Sequence, residues 1–432
     1  MAEPAGIKGM VDIPGDKSIS HRAVMLASLA RGTSRIRGFL RSGDTLATVA
    51  MMRSLGVAIH EVGPSELRIE GVGLAGLSRP DAVIDAGNSG TTMRIGAGLL
   101  AGQAFSSTIT GDRYLLRRPM ARVIKPLRLM GASVKGREKD TLPPLNISGG
   151  GLKGIRYPTP VASAQVKSAI LVAGMFAEGT TTVVEPMPTR DHTERMLRSM
   201  GVDVVTDGRE VALHPPGSLA PLDMEVPADF SAAAFFIVLA AAAHGTEVSL
   251  PGVGINGTRT GLLTVMRRMG ADVRLDSRRD IGGEPVADLG LRGRGLSGTE
   301  ITADEIPSMI DEVPAFCVAA AMAHGRSEVR GASELRTKES DRISSMIDAL
   351  AELGVNCGEY PDGLWIEGPS VIRPGRRVDT RGDHRVAMAF MVLSTATGVP
   401  IELSDTACIE TSFPGFMDLL ADIAPPRLTS LP

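Results

Sequence analysis

A block made of an apolar helix, a glycine and a β-branched strand recurs six times along the 432 residues of the chain. Two examples are SAILVAGMFAEGTTTVVE and AFCVAAAMAHGRSEVRG. The blocks lie about 66 to 80 residues apart, which leaves room for several elements in each repeat unit. The glycines that mark them are Gly32, Gly102, Gly179, Gly245, Gly325 and Gly398.

A second, amphipathic helix follows each strand and ends in Leu-Gly or Met-Gly, as at Leu55-Gly56 and Met200-Gly201. Glycine there is the expected left-handed helix stop. Alternating segments such as ELRIEG and LWIEG come next and predict strands. Each unit is therefore predicted as βαβαββ. The sixth copy stops early, near Asp422, and the N-terminal strand Ile7 to Ile13 has no helix before it, so we expect that strand to complete the last copy.

The predicted fold class is α/β, with six βαβαββ repeats arranged as two domains of three. One domain is predicted to span residues 1–16 and 228–432, and the other residues 17–227. The chain would cross between them near residues 15–20 and near Glu225-Val226-Pro227. One long α/β array without a cleft is the alternative, but short linkers and a returning N-terminus favour two compact lobes.

Composition excludes several classes of function. A net charge of −3 provides no general basic field for nucleic acid or an anionic membrane, and 3% aromatic residues provide few stacking platforms.

The apolar stretch Ser231 to Ala243 is shorter than the roughly 20 residues of a spanning helix and predicts a buried helix. The start MAEPAGIKGM lacks a secretory pattern, so we expect a cytoplasmic protein. Cys317, Cys357 and Cys408 form no CxxC pair and are predicted to be buried thiols.

Cations stand at the predicted helix starts, where capping would need only Ser, Thr, Asn or Asp. Because the helix dipole makes the N-terminus positive, Lys and Arg there are unfavourable for helix stability. Helix N-termini with added Arg are well suited to phosphate and carboxylate. The pattern therefore predicts a local anion site. The cations are Lys17, Arg22, Arg118, Arg190, Lys338, Arg342 and Arg385.

Three carboxylates lie among these cations. Asp311 and Glu339 come from different repeats and can divide general base and general acid work. Asp341, inside Lys-Glu-Ser-Asp-Arg, is predicted to be an ion-pair partner.

Other signals are weaker. Gly252 to Gly257 matches GxGxxG but falls where every repeat has a loop, and Gly15 to Ser18 lacks the full P-loop pattern. His21, His192 and His384 lie at helix starts without metal-ligand spacing, so no metal site is predicted.

Seven motifs occur together and in order: PGDKSISHR, GNSGTTMR, GDRYLLRRPM, SAQVK, RDHTE, KESDR and GDHRVAM. This set resembles the 5-enolpyruvylshikimate-3-phosphate (EPSP) synthase family over nearly the full length. The resemblance implies the enolpyruvyl transferase fold, a two-domain inside-out α/β barrel whose lobes close on substrate in the cleft between them. It also implies transfer of the enolpyruvyl group of phosphoenolpyruvate to the 5-hydroxyl of shikimate 3-phosphate, with no cofactor. A two-lobed chain needs no partner, so we expect a monomer.

Site residues follow from the resemblance. Asp311 would be the base on the attacking hydroxyl, Glu339 the proton donor to the methylene carbon, and Lys17 an aid to proton transfer and charge stabilisation. The residues implied for shikimate 3-phosphate are Lys17, Ser18, Arg22, Ser163, Ala164, Gln165, Arg190, Asp311 and Lys338. Those implied for phosphoenolpyruvate are Lys17, Gly90, Arg118, Gln165, Arg342 and Arg385.

Two positions depart from the family pattern. Glu410-Thr411-Ser412 stands where many members have a Lys before Phe-Pro, and Glu334 replaces a frequent Asn. GDKS, SAQVK, RDHTE and NGTR belong to the class II set, which often tolerates the inhibitor glyphosate. Gly90, however, keeps the small residue that usually admits glyphosate.

Two alternatives remain. A UDP-N-acetylglucosamine enolpyruvyl transferase shares the fold, but that family typically has Lys-Asn in place of Lys17-Ser18 and a reactive Cys in the loop that matches Gly111 to Pro119. A non-catalytic anion-binding protein of the same fold is disfavoured by the presence of both Asp311 and Glu339.

Overall fold

A computed structural model describes residues 7–423, so residues 1–6 of the segment used to exclude a secretory signal lie outside the described residues. The elements of residues 7–226 are β1 (Lys8–Met10), α1 (Lys17–Ser28), β2 (Arg31–Arg37), α2 (Gly43–Ser54), β3 (Ala58–Gly63), β4 (Glu66–Val72), β5 (Ile84–Asp85), α3 (Gly90–Ala101), β6 (Ser106–Thr110), α4 (Ala121–Leu129), β7 (Ser133–Gly136), the single turn α5 (Arg137–Asp140), β8 (Leu142–Ser148), β9 (Arg156–Pro158), α6 (Ala164–Gly174), β10 (Thr181–Val184), α7 (His192–Ser199), β11 (Val204–Asp207), β12 (Glu210–Leu213) and β13 (Asp223–Glu225).

The remaining elements are α8 (Phe230–Ala242), β14 (Glu247–Gly254), α9 (Gly261–Arg268), β15 (Asp272–Ile281), β16 (Glu284–Arg292), β17 (Glu300–Ile301), α10 (Val313–Met322), β18 (Gly325–Val329), α11 (Arg342–Glu352), β19 (Asn356–Tyr360), β20 (Gly363–Gly368), β21 (Arg376–Val378), α12 (His384–Thr397), β22 (Ile401–Leu403) and α13 (Phe416–Ile423). Short 3-10 turns lie at Leu115–Arg117, Ile306–Ser308, Ile310–Glu312, Ser333–Thr337 and Ala407–Thr411.

Five four-stranded sheets follow one pattern, as in the order β5-β6-β8-β7. A lead strand runs parallel to the strand after the first helix, and the last strand of the copy runs antiparallel to that strand. The second helices end as predicted, since Gly56 and Gly201 adopt φ values of 90° and 85°. The sixth copy has only the parallel pair β21-β22 within residues 7–423.

The predicted place of the N-terminal strand is wrong. β1 does not join the last copy but pairs in parallel with β14 of the fourth. The lead position of the sixth copy is already taken by β21, which pairs with β22. The position beside β14 is open because β13, which precedes the fourth copy, pairs instead with β2 of the first copy.

The chain divides into two compact units. Among the described residues, 15–226 and 280–284 form one unit, and 7–14, 227–279 and 285–423 form the other. The five residues 280–284 include the end of β15, the turn and the first residue of β16, and the sequence-based boundaries did not assign them to this unit. The predicted cleft stays a prediction.

Each unit has its own apolar core. In the unit with residues 227–279, α8 is the buried helix that was predicted, and it packs against α10 and α12. Phe236 of α8 meets Phe416 of α13 edge to face, with ring centroids 5.7 Å apart. In the other unit α3 and α6 pack together, and Gly98 lets the backbones approach because a Cβ there would lie 2.1 Å from the Ala169 carbonyl oxygen.

The three cysteines are free thiols. Cys317 is buried, but Cys357 and Cys408 are only half-buried, so the prediction of three buried thiols is wrong for two of them. Desolvation, with a smaller contribution from Asp348, raises the pKa of Cys357 to about 11, which keeps this thiol protonated near neutral pH.

Within residues 7–423, no helix combines the length and the apolar character needed to cross a bilayer.

Candidate active site

Lys17 is the first residue of α1, and its charge is paired. Asp16 caps the helix by accepting a hydrogen bond from the Ile19 N–H at 2.9 Å. The Lys17 Nζ lies 3.1 Å from Asp44 Oδ2, and Asp44 is in the first turn of α2. Two helix starts are thus joined by one ion pair, which holds a half-buried ammonium group at the N-terminus of α1.

Arg22, one turn along α1, connects this helix with α6 and α7. Its Nε donates to Thr193 Oγ1 at 2.7 Å, its Nη2 to Ser168 Oγ at 2.8 Å, and its Nη1 to the Ser18 carbonyl at 2.9 Å. Burial lowers the pKa of Arg22 to about 10, against the opposing effect of Glu194, and the group stays a cation at neutral pH. Because a guanidinium has five N–H donors, these three bonds leave two donors for an anion.

The first turn of α3 holds a crowded cationic corner. A Cβ on Gly90 would lie 2.6 Å from Arg94 Nη1 and 2.9 Å from Arg118 Nη1. Arg94 Nη1 donates to Gln165 Oε1 at 2.7 Å, and Gln165 Nε2 donates to Thr91 Oγ1 at 3.0 Å. Only glycine allows both guanidinium groups to approach this helix start so closely.

At the start of α6, the side chain of the N-cap residue Ser163 makes no capping hydrogen bond. Ala164 follows as the first helical residue. Arg190 is half-buried two residues before α7. We call Lys17, Ser18, Arg22, Gly90, Arg118, Ser163, Ala164, Gln165 and Arg190 the first cluster; all belong to the unit of residues 15–226.

Lys167, in the first turn of α6, is fully engaged inside the protein. Its Nζ lies 2.8 Å from Glu185 Oε2 and 2.7 Å from Glu194 Oε1, and all three side chains are buried. Desolvation lowers the pKa of Lys167, but Glu194 and Glu185 outweigh it, so the pKa is raised. Lys167 therefore braces α6 against α7.

Asp311 lies in the 3-10 turn Ile310–Glu312, just before α10. Its Oδ1 is 3.3 Å from Lys338 Nζ and 3.4 Å from Arg342 Nη1. The carboxylate is half-buried. A carboxylate held by two cations and still partly accessible fits a base that must be oriented toward a bound hydroxyl.

Arg342 is the centre of the second cluster, which we define as Asp311, Lys338, Glu339, Arg342 and Arg385. Its Nη2 lies 2.7 Å from Glu339 Oε2, and its Nε lies 2.9 Å from Asp383 Oδ2. Burial lowers the pKa of Arg342, but Asp383, Glu339 and Asp311 outweigh it and raise the pKa. Arg385 donates from Nη1 to the Asp311 backbone carbonyl at 3.0 Å. The cluster thus places two candidate catalytic carboxylates on one cation. Both precede helices of the fifth copy, α10 and α11, so the expectation that they come from different repeats is wrong.

Three residues of these clusters were not assigned a role from the sequence. Asp44 pairs with Lys17, Arg94 holds Gln165, and the fully buried Asp383 neutralises Arg342. Asp44 and Asp383 lie at helix starts, where capping or a favourable dipole interaction is the usual explanation of an acidic residue. The signal that could have found them is an acidic residue at a helix start beside several cations.

Asp341 is confirmed as an ion-pair partner, since it lies 2.8 Å from Arg336 and caps α11. At the departures from the family pattern, Glu334 lies in the turn Ser333–Thr337, and Thr411 donates its hydroxyl to the Cys408 carbonyl at 2.7 Å. Within residues 7–423, no group of three or more His, Cys, Asp or Glu side chains is arranged to hold a metal ion.

Comparison with known proteins identifies the family. The family model for EPSP synthase (3-phosphoshikimate 1-carboxyvinyltransferase) matches residues 1–420. A 3-phosphoshikimate 1-carboxyvinyltransferase of Methylococcus capsulatus is 53% identical over 97% of this chain and 95% of its own, and one of Alkalilimnicola ehrlichii is 50% identical over 97% and 94%.

Solved structures give the same result. EPSP synthase from Acinetobacter baumannii superposes with a TM-score of 0.86 at 44% identity, covering 98% of this chain and 97% of that one. The enolpyruvyl transferase NikO from Streptomyces tendae, at 18% identity and a TM-score of 0.78, covers 100% and 98% and supports the fold alone.

Five βαβαββ copies and a shorter sixth, with cations and carboxylates at their helix starts, define an α/β protein of the enolpyruvyl transferase fold. The predicted fold class is thereby confirmed. Within that fold, the chain belongs to the EPSP synthase family, which confirms the resemblance of its motifs.

Proposed function

We propose that the protein transfers the enolpyruvyl group of phosphoenolpyruvate to the 5-hydroxyl of shikimate 3-phosphate and releases phosphate, a step of aromatic amino acid biosynthesis. The observation that carries this proposal is the second cluster, in which Asp311 and Glu339 both contact Arg342. An addition–elimination needs a base for the hydroxyl, an acid for the methylene carbon and fixed cations for the anions, and these residues supply all three.

In the proposed mechanism, Asp311 and Glu339 carry out the proton transfers. Asp311 takes the proton of the 5-hydroxyl as its oxygen attacks C2 of phosphoenolpyruvate, and Glu339 delivers a proton to C3. Glu339 then takes back a proton from the new methyl group as phosphate leaves C2, which restores the double bond in the product. The proton held by Asp311 passes to the released phosphate. Because Glu339 lies 2.7 Å from Arg342, which favours the carboxylate, it must take up a proton before it can act as an acid.

Binding is divided among the cations. In the proposal Ser18, Arg22, Ser163, Ala164, Gln165, Arg190 and Lys338 hold shikimate 3-phosphate, Gly90, Arg118, Gln165, Arg342 and Arg385 hold phosphoenolpyruvate, and Lys17 serves both. Glyphosate, itself an anion, would compete for the phosphoenolpyruvate cations. A single chain is proposed to act as a monomer in the cytoplasm, where phosphorylated metabolites are retained.

The test is phosphate release from the purified protein. Release is expected only when phosphoenolpyruvate and shikimate 3-phosphate are both present, because the hydroxyl must attack before phosphate can leave. Release with UDP-N-acetylglucosamine in place of shikimate 3-phosphate would replace the proposal with the other transferase. Binding of both anions without release would identify a non-catalytic anion-binding protein.

Gly90→Ala tests the cationic corner. The added methyl group would lie within 2.9 Å of the Arg94 and Arg118 guanidinium groups, which must move away. We expect the KM for phosphoenolpyruvate to rise about tenfold, because displaced groups bind less well. Stability should change little because only the flexible ends of side chains shift.

Gly96→Ala is the matched control for Gly90→Ala. It lies on the same helix, and its methyl group would meet the Met51 sulfur at 2.9 Å. This control should leave the KM unchanged. An unaltered KM in Gly90→Ala would show that these guanidinium groups do not hold phosphoenolpyruvate.

A further inference from the structure

A buried chain of hydroxyl groups joins three helix starts beneath the first cluster. His21 Nδ1 lies 2.7 Å from Thr48 Oγ1, Thr48 Oγ1 lies 2.7 Å from Thr92 Oγ1, and Thr92 Oγ1 lies 2.8 Å from Ser89 Oγ. The four side chains are at most 1% exposed. We call His21, Thr48, Thr92 and Ser89 the hydroxyl chain; it runs from α1 through α2 to the N-cap of α3.

The hydroxyl chain has one consistent direction of donation. Desolvation, then the charges of Lys17 and Arg22, lower the pKa of His21, so the ring is neutral and carries one proton. With that proton on Nδ1, His21 donates to Thr48, Thr48 to Thr92, and Thr92 to Ser89. The opposite tautomer would bury a donor at Nε2, which makes no hydrogen bond among the described residues.

Each member of the hydroxyl chain stands next to residues of the site. His21 is one turn after Lys17, and Thr48 is one turn after Asp44, the partner of Lys17. Ser89 immediately precedes Gly90 and caps α3 by accepting from the Thr92 N–H at 3.0 Å. The hydroxyl chain therefore ties the backbone at Gly90 to the backbone that presents Lys17.

The exact position of the first turn of α3 matters because the Arg94 and Arg118 guanidinium groups lie close to Gly90. A Cβ at Gly90 would approach Arg94 Nη1 and Arg118 Nη1 to less than 3.0 Å, so a shift of α3 by a few tenths of an ångström changes where both cations stand. We propose that His21, Thr48 and Thr92 are positioning residues that set the first turn of α3, and through it Arg118, for binding of phosphoenolpyruvate. This inference rests on the proposed function.

Thr48→Val and Thr92→Val test the hydroxyl chain, because valine keeps the shape and removes the hydroxyl. We expect each variant to raise the KM for phosphoenolpyruvate about tenfold, with kcat and the KM for shikimate 3-phosphate within about threefold of wild type, since ground-state binding is what is lost. Thr48→Ser, which retains the hydroxyl, should restore the KM. A merely structural role would not separate the two substrates in this way.

Thr395→Val is the matched control. Thr395 is buried in α12, and its hydroxyl donates along its own helix, to the Met391 carbonyl at 2.9 Å. An equal rise in KM in this control, or equal impairment in Thr48→Ser and Thr48→Val, would overturn the proposal. So would an unchanged KM in folded Thr48→Val and Thr92→Val.

Amide hydrogen exchange provides a readout that needs no substrate. Exchange at residues 90–93 should be faster in Thr48→Val than in wild type and unchanged in Thr395→Val. Unchanged exchange in Thr48→Val would overturn the positioning role. If wild type lacks turnover but the exchange differs as expected, the proposed function fails while the hydroxyl chain stands.

Discussion

Asp311→Asn is expected to lower kcat by about 10² to 10⁴-fold, because the amide cannot accept the proton of the attacking hydroxyl. The Asn Oδ1 can still accept from Lys338, whose Nζ is 3.3 Å from Asp311 Oδ1. Substrate binding should therefore be largely kept, and the KM for both substrates should stay within about threefold of wild type. Steady-state kinetics with each substrate varied in turn measures both constants.

Asp304→Asn is the control for Asp311→Asn. Asp304 is an exposed carboxylate seven residues earlier in the same segment, and its substitution should leave kcat unchanged. Normal turnover by Asp311→Asn would remove this residue from the mechanism. A large rise in KM with normal kcat would make Asp311 a binding residue rather than the base.

Arg342→Met is expected to give the largest loss of stability, about 3–5 kcal/mol, because removing one partner of a buried ion pair leaves its charge uncompensated. Asp383 has 0% of its side chain exposed and lies 2.9 Å from the Arg342 Nε, so it would lose its nearest cation. Glu339 would lose its 2.7 Å contact with Arg342, and Asp311 would lose its 3.4 Å contact but keep Lys338 at 3.3 Å. Binding of phosphoenolpyruvate should fall below detection. Chemical denaturation and kinetics measure the two effects.

The Arg342→Met deficit should shrink as the pH is lowered. In wild type, Arg342 outweighs desolvation and lowers the pKa of Asp383, so the stabilisation exists above the unfolded pKa and is lost as the pH falls through the folded one. Without Arg342, burial favours the protonated form of Asp383. Lowering the pH then neutralises the buried Asp383 carboxylate that has lost its contact with Arg342.

Two further variants check the Arg342→Met prediction. Adding Asp383→Asn to Arg342→Met should recover part of the stability. Arg376→Met, which removes an exposed pair with Glu352, should cost at most about 1 kcal/mol. Equal losses in Arg376→Met and Arg342→Met would contradict the role of burial.

Much of the repeat could be predicted because its signals are local. Glycine after each second helix, as at Gly56, reports a left-handed backbone that other residues rarely adopt. Alternation in ELRIEG reports a strand with one buried face, and β4 has that pattern. Cations before helices, such as Arg342, were recognisable because they oppose the helix dipole and so need another explanation.

The interaction partner of each polar residue was harder to predict than its place at a helix start. Lys17 and Asp44 are 27 residues apart, and Arg22 and Thr193 are 171 apart. An Asp at a helix start looks the same whether it caps the helix, as Asp16 does, or also neutralises a buried guanidinium, as Asp383 does. Only packing of the helices against each other distinguishes these cases.

The amino-acid sequence by itself determined the six repeats, the helix starts and the cations placed on them, because each depends on the conformational preferences of a few neighbouring residues. The tertiary structure decided which strand completes which sheet. β1 pairs with β14 and β13 with β2, since parallel edges of equivalent copies are chemically alike and the choice depends on which edge is left open. It also decided the hydroxyl chain from His21 to Ser89, because hydrogen bonds between buried side chains form only where separate helices are packed within about 3 Å of each other's polar atoms.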